Sequence, residues 1–119
     1  KALKHLDREF RVLRRLRHPN VTLLLGFCVQ PQCIIVTEFV QGGSLFDLIH
    51  DRSFSPLFGN AVPDWSFSRI VSIAREICLG MVYLHFCGVL HCDLKSSNVL
   101  VGGSHQVKIC DFGLAHILA

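Results

Sequence analysis

The stretch VLHCDLKSSNVLVGGSHQVKICDFGLAH, Val89 to His116, decides how the rest of the chain is read. Two short apolar runs, Val99–Val101 and Val107–Ile109, flank the turn-forming GGSHQ, which is a hairpin signal. Polar residues gather at the open end of that hairpin: Asp93, Lys95 and Asn98 before it, Asp111 just after it. If the turn centres between Ser104 and His105, Asn98 and Asp111 face each other. Opposed residues in an antiparallel pair have Cβ atoms roughly 4.5–5.5 Å apart. An amide oxygen and a carboxylate at that distance can share a hard cation such as Mg²⁺. Asp93 and Lys95 add a second carboxylate and an ammonium. Phosphoryl transfer needs such a set: metal ligands, a cation near the moving group, and a carboxylate that orients a hydroxyl. Any one of these residues alone would be ordinary turn polarity; the four together argue against that.

Upstream, KALKHLDREFRVLRRLRHPN predicts a helix with an apolar stripe of Leu3, Leu6, Phe10, Leu13 and Leu16, ended by Pro19. Arg8, Arg11, Arg14 and Arg15 lie elsewhere on the cylinder. A basic amphipathic helix can bind nucleic acid or membrane, but a solvated charged face is the commoner outcome. Val21–Val29 and Cys33–Val40, separated by QPQ, predict two paired strands. Ser44 and Asp47 have capping-box spacing ahead of a short helix at about Leu45–His50. Residues 51–64 are expected to be a loop. A second long helix is expected from about Trp65, capped by Asp64 or Ser66, burying Ile70, Ile73, Ile77, Met81 and Leu84 and stopping at Gly88.

The chain has 119 residues, half of them hydrophobic and 18% charged, with mean hydropathy +0.43. That suits one domain with a core and argues against disorder. The formal charge of +3 comes largely from the first eighteen residues. No apolar run is long enough for a membrane span. The charged start, with neither initiator Met nor cleavage site, does not read as a signal peptide. Six cysteines without a C-x-x-C spacing are expected to be reduced, largely buried thiols.

HCDLKSSN and DFG at these positions resemble the catalytic-loop and metal-binding motifs of eukaryotic protein kinases. The resemblance covers the whole chain and implies a truncated bilobal α+β fold. Residues 1–37 would form part of the N-lobe, 38–43 the hinge and 44–119 the first part of the C-lobe. It further implies ATP and Mg²⁺ as cofactors. Asp93 would be the catalytic base, Lys95 would contact the γ-phosphate, and Asn98 and Asp111 would hold the metal. Thr37 takes the gatekeeper position, Glu38 and Val40 would offer backbone groups to adenine, and Leu100 would line the cofactor site. Glu9 matches the ion-pairing glutamate of the helix named αC in this family. Leu13, Leu24, His91 and Phe112 resemble its stacked apolar spine. DLKSSN and RHPNVTLLLGFC resemble the tyrosine-kinase-like group (Raf, mixed-lineage and plant kinases), which implies a protein Ser/Thr hydroxyl as acceptor. The expected partners are therefore ATP and a protein substrate, with no nucleic acid and no membrane segment. The expected location is cytoplasmic, or the cytoplasmic portion of a receptor.

Departures from the family pattern matter. Neither a glycine-rich loop nor a β3 lysine precedes the first helix, and the sequence ends shortly after DFG, so a fragment of a longer protein, inactive alone, is expected. Cys92 replaces the family arginine, which would pair with a phosphorylated activation loop; a thiol cannot. It either frees the protein from such control or only fills space. A pseudokinase that binds nucleotide or serves as a scaffold is the alternative reading.

Overall fold

The computed structural model describes residues 2–50, 65–102 and 106–118, and the side chains of all of these except Ala2 and Leu3. Helix α1 spans Ala2–Leu13 and presents Phe10 and Leu13 to the core, each 5% exposed. It stops six residues before Pro19. Arg15 and Leu16 donate to carbonyls only three residues back, which tightens the last turn and swings Leu16 into the core. The helix therefore ends by overwinding, not at the proline.

Strands β1 (Leu24–Cys28) and β2 (Ile34–Thr37) pair antiparallel, with an irregularity between Leu24 and Gly26. Both are shorter than the apolar runs they come from. Residues 20–22 leave that hairpin to pair elsewhere, and 38–40 lead toward the second half of the molecule. Helix α2 (Leu45–His50) has the reciprocal cap that its spacing predicts. The Asp47 N–H donates to Ser44 Oγ at 3.1 Å, and the Ser44 N–H donates to Asp47 Oδ2 at 3.4 Å.

Helix α3 runs Phe67–Phe86 with Ser66 as N-cap, accepting from the Arg69 N–H at 3.2 Å. Asp64, the other cap candidate, and the loop expected over 51–64 lie outside the described residues. The helix ends at Cys87, followed by Gly88 at φ +76°, a conformation that glycine adopts without a Cβ penalty. Ile73 and Leu84 are buried and Ile77 and Met81 partly so, but Ile70 is half exposed. The buried arc of α3 is completed by Gly80 instead. A Cβ there would stand 2.8 Å from both Asn20 O and Ile109 Cδ1, so the missing side chain lets α3 lie directly on its neighbours.

Strands β4 (Val99–Val101) and β5 (Val107–Ile109) form the expected hairpin, and β3 (Val89–Leu90) pairs with β6 (His116–Ile117). Alternation along β4 and β5 turns Val99, Val101, Val107 and Ile109 inward, all at 2% exposure or less. Leu100 and Lys108, which oppose each other, point the other way. Both hairpin edges are occupied. On one side Gly42 N–H donates to Val101 O and Val101 N–H to Gly43 O. On the other, Thr22 N–H donates to Ile109 O and Ile109 N–H to Asn20 O.

The observed register corrects the symmetric hairpin expected from sequence. Val99 opposes Ile109 and Val101 opposes Val107, so the same register sets Asn98 opposite Cys110 and not Asp111. The Cys110 N–H donates to Asn98 O at 2.9 Å, fixing that pairing. Asp111 lies one residue beyond and leaves strand geometry altogether, at φ +62°. Its direction is set by that backbone turn and not by cross-strand opposition.

The cysteines are also a partial correction. All six are free thiols, but Cys28, Cys33, Cys78 and Cys92 are exposed and Cys87 and Cys110 only half-buried. The exposed ones sit on faces that no described element covers.

Candidate active site

His91 is the post around which the polar loop is built. It is 1% exposed, and its Nδ1 accepts the Asp93 N–H at 3.1 Å. Its Nε2 stands 2.8 Å from Cys110 O, an acceptor only, so Nε2 carries the proton in this pair of bonds. One imidazole thereby ties the Asp93 loop to the end of β5. The Phe112 ring packs edge-on against it, centroids 5.4 Å apart. Phe112 in turn packs on the cluster that holds Leu13 and Leu24. The four residues of the expected spine thus form one run of contacts from α1 to the loop.

Asp93, Lys95 and Asn98 come together. Asn98 Nδ2 donates to Asp93 O at 2.9 Å and to Asp93 Oδ2 at 3.1 Å, while Lys95 Nζ stands 3.7 Å from Asp93 Oδ1. A single turn of 3₁₀ helix, Ser96–Asn98, brings the amide back over the carboxylate. Asn98 is buried, and Asp93 keeps about a quarter of its side chain exposed. A carboxylate held from one side and open on the other is oriented yet reachable.

Thr37, Leu100 and Asp111 line a cavity of about 270 Å³ together with the apolar Phe10, Leu13, Leu24, Ile35 and Phe112. Asp111 Oδ1 accepts the Gly113 N–H at 3.1 Å. Cys110 also lines this cavity, and nothing in the sequence singled it out; its place beside Asp111 was the available signal. Burial, with the Asp111 charge adding to it, pushes the Cys110 thiol up to about 11. Val40 is buried beside the stretch that joins β4.

Two expected residues point elsewhere. The Glu38 side chain lies outside the cavity, accepting the Leu23 N–H at 3.0 Å and pairing with Lys108 Nζ at 3.1 Å. Burial opposes its charge, but the Leu23 N–H and Lys108 outweigh that and hold its carboxyl below the ordinary value. Its backbone N–H donates to Leu23 O at 2.9 Å, which leaves the carbonyl, the group expected to face adenine. Glu9 sits in a different hollow with His5, Arg8, Val12, Ile117 and Leu118, its carboxylate 3.2 Å from His5 Nε2.

Two oxygens of the expected metal ligands carry no hydrogen bond among the described residues. Both nitrogen-borne hydrogen bonds of Asn98 leave Oδ1 free, and Asp111 has a second carboxylate oxygen.

The family model described as protein tyrosine and serine/threonine kinase matches residues 1–119. The chain belongs to the protein kinase family. This kinase chain is 43% identical over 116 residues to the probable serine/threonine-protein kinase drkC of Dictyostelium discoideum, covering 95% of the chain and 14% of that protein. It is 40% identical over 115 residues to the serine/threonine-protein kinase CTR1 of Arabidopsis thaliana, covering 94% of the chain and 13% of that protein. It is 35% identical over 117 residues to the serine/threonine-protein kinase STY46 of the same plant, covering 98% of the chain and 19% of that protein. The kinase chain therefore spans less than a fifth of the length of these relatives. Its α+β architecture of helices and antiparallel hairpins is that of part of a protein kinase domain.

Proposed function

We propose that the protein containing this chain transfers the γ-phosphoryl group of Mg-ATP to a Ser or Thr hydroxyl of a protein substrate. The observation that carries the reading is the Asp93 carboxylate, gripped on Oδ2 by Asn98, faced by Lys95 on Oδ1, and still solvent-accessible. A carboxylate so held can accept a hydrogen bond from an incoming hydroxyl and take its proton as the new P–O bond forms. Lys95 supplies a positive charge next to the same spot, where it offsets charge on the transferred group. Thr37 and Leu100 offer a partly apolar cavity wall suited to a purine, and the backbone at Glu38 and Val40 offers its polar edge partners. Asn98 Oδ1 and Asp111 would hold Mg²⁺, which neutralises phosphate charge when bound. Membership of the family implies ATP and Mg²⁺ use. A cytoplasmic setting, where ATP is available and thiols stay reduced, is part of the same proposal. No helix among the described residues is long and apolar enough to cross a membrane.

Asp93→Asn in the full-length protein is expected to lower phosphoryl transfer to a generic Ser/Thr substrate by about 10²–10⁴-fold. ATP binding should survive, because Thr37, Leu100 and the hinge backbone are untouched. Equal turnover by wild type and variant would overturn the assignment. A second reading, a nucleotide-binding scaffold without turnover, draws on Glu9 being paired with His5 away from the cavity. Wild-type protein that binds ATP but transfers nothing to any substrate would favour it.

A further inference from the structure

The outer face of α1 carries Lys4, Arg8, Arg11 and Arg15 at steps of four, three and four residues, which aligns them along one side of the helix and its overwound end. The buried side, Phe10 and Leu13, faces the opposite way. All four basic residues are exposed, and among the described residues Lys4, Arg8 and Arg15 have no carboxylate partner. Arg11 is shared with Asp7 at 2.8 Å. We propose that this stripe is a docking face for an extended acidic peptide segment of a partner protein.

Spacing favours that occupant. Eleven residues of helix extend about 16 Å, with neighbouring charges roughly 5–6 Å apart. In an extended peptide, alternate residues project to one side about 6.7 Å apart, so glutamates or aspartates at every second position can each meet one cation. Other polyanions fit less well. A membrane-surface helix needs an apolar face free to enter the lipid, and here that face is the core of the protein. Single-stranded nucleic acid is held by aromatic platforms as well as charge; in α1 the Phe10 ring is 5% exposed and the His5 ring is engaged with Glu9 at 3.2 Å. Asp7 borders the stripe beside Arg11 and would repel a continuous phosphate backbone, whereas discrete carboxylates can be spaced to avoid it.

The test uses the full-length protein and fluorescence anisotropy of a labelled peptide of alternating glutamate and serine. Binding is expected to weaken on raising NaCl from about 50 to about 200 mM. The triple variant Lys4→Gln, Arg8→Gln, Arg15→Gln, which keeps strong helix formers, is expected to bind about tenfold more weakly. Arg75→Gln, an exposed change on α3, should leave binding unaltered. Asp7→Asn frees Arg11 and should tighten binding, a gain that misfolding cannot imitate. The proposal is overturned if the peptide does not bind at the lower salt, or if the triple variant binds as wild type does. It is equally overturned if poly(dT), or vesicles of about three parts phosphatidylcholine to one of phosphatidylserine, bind through these residues more tightly than the peptide.

Discussion

Cys110 stands next to Asp111 in the cavity wall, yet its chemistry is suppressed. The thiolate is the reactive form, and a thiol pushed up to about 11 is overwhelmingly protonated at pH 8. Iodoacetamide should therefore label Cys110 far more slowly at pH 8 than an ordinary thiol near 8.5, with the rate climbing steeply as pH approaches 11. Mass spectrometry of the labelled cysteine peptides would read this directly. Fast labelling of Cys110 at pH 8 would mean that the cavity is wetter than the structure has it. The same residue shows where single-residue reading stops. Asp93, Lys95 and Asn98 could be picked from their spacing, because a loop and one 3₁₀ turn suffice to join them. Cys110 and the side-chain direction of Glu38 could not, since both depend on packing across the hairpin and on Lys108. Cys92 was legible as a departure, and its side chain is exposed among the described residues.

Among the elements, the strongest constraint is one that no hydrophobic pattern reveals. Gly80 interrupts an otherwise good helix former's sequence, and its contact with Asn20 O and Ile109 Cδ1 is what lets α3 support β5. Gly80→Ala should gain helix propensity yet lose stability by about 1–3 kcal/mol from overpacking. Urea unfolding of the full-length protein would decide the sign; a stabilised variant would contradict the close approach. Period and capping made α2, the body of α3 and the β4–β5 strands readable, because those signals are local. The hairpin register was not, since a register shift of one residue leaves every apolar residue in place while exchanging Asp111 for Cys110 opposite Asn98. The early end of α1 was missed for a related reason: Leu16 continues the apolar stripe in sequence although it reaches the core through a tightened turn.

At the scale of the molecule, the described residues bury two apolar clusters and leave much else uncovered. Phe39, Phe67 and Phe86 are each more than 80% exposed, as isolated core residues never are. Expressed by itself, the chain should bind a hydrophobic dye and lack a sharp cooperative melt; a monodisperse sample with a steep transition would refute this. Membership of the kinase family was legible because its motifs recur across that family, but the uncovered faces are a property of surface area, visible only in three dimensions. The two main hairpins also differ in how they end. β4–β5 is sealed along both edges by residues 20–22 and 42–44. β2 has no neighbour beyond β1 among the described residues, and its Ile34, Ile35 and Val36 are all more than 40% exposed. A bare, β-branched, uncharged rim of this kind is a template for cross-β growth, so any fibrils the free chain forms should be seeded at Ile34–Thr37 and blocked by a single lysine in place of Ile35.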